Sequence, residues 1–222
     1  MQNPHTAEQI SSLWLVYHGS RSNGTGRGYL SASMSRSQYE AMLARARRYP
    51  VFILPLPRSV PADDTDPVSQ TEATEFYVMQ WDFYDRAEPP THIDSSSIDA
   101  VLSPRSHLDS SSLPHVSSII LTPLQEYKLR GTYAQPRLVI THYPDFADTH
   151  DIVLLRGEIA KSDSGKFLLS QIDAQILALT LQRSYMPSES TTSRNAFELL
   201  RTFHEAPDTF DYRKMMETTV RI

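Results

Sequence analysis

Two apolar runs, PRLVITHY at 136–143 and DIVLLRGEIA at 151–160, are joined only by PDFADTH. This spacing constrains the fold more than any other stretch. A parallel crossover needs a dozen or more residues, so a connection this short predicts antiparallel neighbours. Further strand signals precede the pair. In TEFYVMQWDFY (74–84), Phe76, Val78 and Gln80 alternate with Tyr77, Met79, Trp81 and Phe83. Apolar groups on both sides of the run predict a covered, central strand. VSSIILTPLQEYKLRG (116–131) reads as a strand at Ile119 to Leu121, then a short helix with Thr122 as N-cap, Pro123 at its first position and Gly131 as terminator.

The stretch YPVFILPLPR (49–58) holds three prolines in an apolar setting. Val51 to Leu54 predicts a buried strand, while Pro55 and Pro57 lack amide donors and belong at an edge or an exit from the sheet. On this reading Leu56 and Arg58 stand at the rim of a groove. The last two prolines are two apart, a poor match to a PxxP recognition helix.

Helical periodicity brackets the strands. AEQISSLWLVYH (7–18) places Ile10, Leu13, Trp14 and Tyr17 on one stripe. GSRSNGTGRGYLSA (19–32) then interrupts regular structure. Its glycines lack the preceding buried strand and the GKS or GKT ending of a phosphate-cradling loop, so it reads as a turn. SRSQYEAMLARARRYP (35–50) offers Ser35 with Gln38, or Ser37 with Glu40, as a capping box, and buries Tyr39, Met42, Leu43 and Ala46. Arg45, Arg47 and Arg48 fit a solvated helix C-terminus, and Pro50 stops the helix. Toward the C-terminus a helix from about Ser164 or Gly165 presents Leu168, Ile172, Ile176 and Leu179, thickened by Leu169, Leu177 and Leu181. Another follows near Ala196 to His204. A last one starts around PDTFDY, with Phe210 or Tyr212 beside Met215 and Met216.

Helices, then strands, then helices predict an α+β fold: a mostly antiparallel sheet covered by helices. The predicted organisation is an N-terminal helix and glycine-rich loop over 1–34, then a single body over 35–222. That body contains an acidic loop at 59–73 and a long, mobile serine-rich insertion at about 85–115. A hydrophobic fraction of 40% supports a folded body.

Charge is unevenly spread. Residues 1–60 hold seven Arg and two Glu, whereas 61–115 hold two Arg and eleven acidic residues. The asymmetry can steer a protein partner but gives no reason to expect nucleic-acid binding. The chain has no cysteine, which excludes disulfides, thiolate catalysis and sulfur-ligated zinc. No apolar run is long enough to span a bilayer, and the N-terminus shows neither a secretory nor a transit pattern.

Catalytic signals are weak. THYPDFADTHD (141–151) gathers His142, Asp145, Asp148, His150 and Asp151, residue types able to bind a metal or move protons, yet in no known ligand spacing. GxSxG is absent, and DSGK around Lys166 lacks the glycine-rich loop of a phosphate site and reads as helix capping. Glu75, Asp82, Glu126 and Glu158 include no pair that spacing alone sets across a substrate. A small hydrolase or metal-dependent enzyme using the His142 to Asp151 region is therefore the alternative, and a structural adaptor a further one. Binding to a protein partner is the stronger class, through an aromatic or aliphatic centre and an arginine rim.

Five blocks in order, RYPVFILPLPR, EFYVMQW, LTPLQEYKLRGTYAQPRLVITHYPDF, IVLLRGEI and FELLRTFHEAPDTFDY, resemble the mitochondrial assembly factors that chaperone the free catalytic beta subunit of ATP synthase. The resemblance runs from about Leu13 to Tyr212, outside the variable loops. It implies a mitochondrial matrix protein whose transit segment is absent from this sequence. It further implies a non-enzymatic chaperone that binds the unassembled beta subunit, with no cofactor, no metal, no nucleic acid and no stable membrane insertion. Within those blocks, physical reasoning selects Leu54, Leu56 and Arg58, Tyr77 and Trp81, and Tyr127 with Arg130 as partner-binding candidates.

Overall fold

The computed structural model describes residues 5–61, 70–84, 113 and 116–220. Its centre is a six-stranded sheet in the order β1-β6-β5-β4-β3-β2, with every neighbouring pair antiparallel. The strands are β1 (Tyr29–Ser35), β2 (Val51–Pro61), β3 (Gln70–Tyr84), β4 (Val116–Pro123), β5 (Leu138–Tyr143) and β6 (Ile152–Ile159). Strands β2 to β6 form a sequential meander, and β1 joins it last in space, against β6. The expected antiparallel pair is β5 with β6, joined through one helical turn at Ala147–His150.

Strand β1 is an element that sequence reasoning read as loop. YLSASMS has the alternation of a strand, but its serines and the glycines before it mimic a turn region. The boundary expected after residue 34 thus falls inside a strand of the main sheet. Gly28, at φ +88°, makes the entry into β1: a Cβ there would sit 2.2 Å from the Phe167 ring.

Strand β2 also departs from expectation, because the prolines do not carry the chain out of the sheet. Trp81 N–H donates to Pro50 C=O, and β2 pairs with β3 in the register Val51↔Gln80 through Pro61↔Gln70. Hydrogen-bonded pairs recur every second residue in an antiparallel ladder. Even-numbered residues of β2 therefore turn their backbone groups toward β3 and odd-numbered ones toward the free edge. Pro55, Pro57 and Pro61 all occupy odd positions, where no ladder donor is lost. Of the acidic loop expected at 59–73, residues 59–61 belong to β2 and 70–73 to β3, and residues 62–69 lie outside the described residues, as does the serine-rich insertion apart from Leu113.

The longer helices are α1 (Ala7–Gly19), α2 (Arg36–Arg48), α3 (Leu124–Arg130), α4 (Gln171–Tyr185), α5 (Thr191–Glu205) and α6 (Tyr212–Val220). Helix α2 uses the Ser35–Gln38 capping box and buries Tyr39, Met42, Leu43 and Ala46, as its spacing predicts. Helix α3 begins one residue later than expected. Thr122 continues β4, buried opposite Val78, and makes no cap. Helix α4 starts at the Ser170 cap rather than near 164, so Leu168 and Leu169 precede it. Its buried face is accordingly Ala174, Leu177, Leu181 and Tyr185, while Ile172 and Leu179 are exposed. DSGK forms a turn closed by Ser162 N–H to Lys166 C=O, not a helix cap.

The core lies between one face of the sheet and α2, α4, α5 and α6. Phe52, Leu54, Tyr77, Met79, Trp81, Ile119, Ile140 and Val153 meet Met42, Leu177, Leu181, Leu200 and Met215 there. Phe52, Phe203 and Phe210 form an edge-to-face cluster with centroids 5.3–6.5 Å apart. Helix α1 packs on the opposite face over β1 and β6, held by Trp14 Nε1–H donating to Leu155 C=O at 2.8 Å.

Candidate partner-binding surface

Four of the seven residues selected from sequence are core. Leu54, Leu56 and Tyr77 are fully buried, and Trp81 is 7% exposed. The groove-rim placement of Leu56 gives way to an interior one. Strand β2 continues straight through Pro55 and Pro57, so alternation puts Leu56 on the same helix-covered face as Phe52 and Leu54. Trp81 stacks on His142 with centroids 5.5 Å apart and an interplanar angle of 11°. These four side chains stabilise the fold and present no surface to a partner.

Arg58 is half-buried and belongs to an ion-pair network. Its Nη2 donates to Glu75 Oε2 at 2.6 Å, and its Nη1 pairs with Asp173 in the first turn of α4. Arg137 joins from the other side, 3.0 Å from Glu75 Oε1, and also donates to the Tyr77 hydroxyl at 3.3 Å. The network ties the edge strand β2 to the N-terminus of α4, where the negative charge of Asp173 is favourable. Glu75 is thereby a structural counter-ion held by two arginines.

Tyr127 and Arg130 lie on α3, a two-turn helix beside β3 and β4. Tyr127 is half-buried and Arg130 is exposed, 3.8 Å from Glu126. Gly131, at φ +56°, reverses the chain into the turn Gly131–Tyr133. The reversal leaves Leu129 85% exposed and Tyr133 89% exposed at one tip. Sequence reasoning passed over both, although a leucine and a tyrosine flanking a helix-ending glycine were the available signal.

Helix α1 adds a second outward apolar face. Trp14 is half-buried and His18 buried against the sheet, whereas Leu13, Leu15, Val16 and Tyr17 are exposed. The expected stripe docks through Ile10 and Trp14, while Leu13 and Tyr17 turn away.

The polar run at 141–151 disperses. His142 is buried, and its Nδ1 lies 3.2 Å from Ser117 Oγ, which in turn lies 2.8 Å from the Tyr39 hydroxyl. Burial pushes the His142 imidazole down to about 4, so it is neutral near pH 7. Ser117 and His142 meet as a nucleophile and base would, but both are buried in the core. Asp148 instead pairs with Arg36, and His150 Nε2 lies 3.2 Å from His5 C=O. Among the described residues no group of three His, Asp or Glu side chains is placed to hold a metal ion. Among the same residues no helix is long and apolar enough to cross a membrane.

Comparison with known proteins places this arrangement in a family. The profile described as ATP11 protein matches residues 1–216, and the chain belongs to that family. It is 30% identical over 207 residues to "Protein atp11, mitochondrial" of Schizosaccharomyces pombe, covering 93% of this chain and 54% of that protein. It is 21% identical over 216 residues to "ATP synthase mitochondrial F1 complex assembly factor 1" of Mus musculus, covering 97% of this chain and 48% of the relative. The Homo sapiens protein of the same name is 22% identical over 216 residues, with the same coverage. The chain thus spans about half the length of these relatives.

Proposed function

We propose that this chain is a non-enzymatic chaperone for the F1 part of mitochondrial ATP synthase, acting in the matrix on the unassembled catalytic beta subunit. The observation that carries the reading is the exposed pair Leu129 and Tyr133, flanked by Tyr127 and Arg130, in a chain whose relatives are named as F1 assembly factors. A subunit awaiting its neighbours exposes an apolar interface prone to aggregation. A protruding apolar tip with a cationic flank suits transient cover of such a surface. Arg58, Tyr127 and Arg130 remain candidates for contact, Arg58 as a rim residue and the other two at the tip.

The test is light scattering from freshly diluted beta subunit without nucleotide. The chain lowers the scattering in proportion to its concentration, and a pull-down recovers free beta subunit but not the assembled enzyme. Unchanged scattering with a folded chain would overturn the proposal. Stable co-purification with the finished complex would favour an adaptor instead.

A further inference from the structure

The two edges of the sheet are built differently. On β2, the outward positions carry Pro55, Pro57 and Pro61, which offer no N–H to an incoming strand. On β1, Ile159 N–H donates to Gly28 C=O and Arg36 N–H to Asp151 C=O at the two ends of the ladder. By the two-residue repeat, Tyr29, Ser31, Ser33 and Ser35 point their backbone groups away from β6. The ends of that row are occupied: Tyr29 N–H donates to Gly26 C=O, Tyr29 C=O accepts from Gln171 Nε2 at 2.6 Å, and Ser35 N–H donates to Gln38 Oε1 at 3.1 Å. The backbone groups of Ser31 and Ser33 between them have no partner among the described residues.

This open row borders a groove of about 710 Å³, within the roughly 300–1,000 Å³ usual for binding clefts. Tyr29 to Met34 all line it consecutively, so the space reaches the edge of β1, and from there it runs along the helix-covered face past Leu155, Ile140 and Ile119. The opposite wall is α4, through Gln171, Gln175, Ala178 and Gln182. The Gln171 side-chain carbonyl also accepts from Gly28 N–H at 3.0 Å, so one glutamine side chain closes the start of the strand. No Asp, Glu, Lys or Arg lines the groove, and His142 among its lining residues is neutral, so a charged side chain entering it would be desolvated without a partner.

We infer that this groove receives an uncharged, extended segment of a client polypeptide, which adds to the sheet as a seventh strand on β1. Its backbone pairs with Ser31 and Ser33, the glutamines of α4 hydrogen-bond its far side, and its alternate apolar side chains enter the groove floor. The client is the one assigned under the proposed function, on which that identity rests; the geometry of capture does not depend on it.

Amide hydrogen exchange of the full chain tests the proposal, with two probes: freshly diluted beta subunit and a capped peptide of alternating Val and Thr. Binding of either probe slows exchange at Ser31 and Ser33. Ser33→Pro, which removes an outward donor, weakens binding about tenfold, the loss of one to two hydrogen bonds, and Ala178→Trp, which fills the groove from α4, weakens it at least as much by excluding the segment. Both variants are checked for an unchanged thermal transition, and the second keeps the test valid if the first unfolds. Bound probe with Ser31 and Ser33 still exchanging freely, and full affinity in Ala178→Trp, would overturn the groove and leave the chaperone reading standing. Protection by the peptide but no binding of the beta subunit supports the groove and sinks the named client. Slow exchange in the free chain at every concentration would assign the groove to the chain's own segment, and slow exchange only at high concentration to a second copy; either result overturns client capture.

Discussion

His142 is neutral in the fold and protonates only near pH 4, against an ordinary value of 6.5, because burial excludes the water its cation needs. The unfolded chain takes up a proton at this site as pH falls through 6.5, whereas the folded chain does not until about 4. Stability is therefore full above pH 6.5 and falls between 6.5 and 4, by about 3 kcal/mol from this residue alone. Urea unfolding across that window should show the slope, and His142→Gln should flatten it. Leu56→Ala should cost about 2–5 kcal/mol, since the side chain is fully buried. Arg58→Ala should cost less, about 0.2–1 kcal/mol, because the site is partly solvated and Glu75 keeps Arg137, while Asp173 alone loses its partner. Circular dichroism melts of the two variants separate these outcomes.

At the scale of elements, the tip after α3 is the most exposed apolar feature among the described residues. Leu129→Asp with Tyr133→Ser should leave the melting transition within about 0.5 kcal/mol of wild type, as surface changes do, while weakening capture of free beta subunit in a pull-down. Equal capture would remove the tip from the proposed surface. Most elements were legible in the sequence. The Ser35–Gln38 box starts α2, and the short link after Tyr143 pairs β5 with β6. The misses have local causes. The leucine run Leu168-Leu169 extends an apparent helix across the Ser170 cap, and the serines of β1 hide a strand whose partner lies far along the chain. The candidate surface was less legible, because alternation fixes which residues share a face but not which face the helices cover. Leu56 and Tyr77 fell on the covered one.

For the whole molecule, the pairing of Tyr29↔Glu158 through Ser35↔Ile152 joins the first strand to the last. Each meander hairpin closes soon after its strands exist, but β1 must wait for a segment more than a hundred residues later in the chain. Gly28→Ala, which forces strain at φ +88° and a clash with Phe167, should weaken this final closure and lower the melting temperature by several degrees. Pulse-labelling during refolding should find the β1 amides protected after those of β3 and β4. The order has a consequence for timing. While the chain is still emerging, β1 has no neighbour until β6 is made, and the groove between β1 and α4 does not exist until the helix at Gln171–Tyr185 has followed, so capture in that groove cannot begin on the first half of the chain.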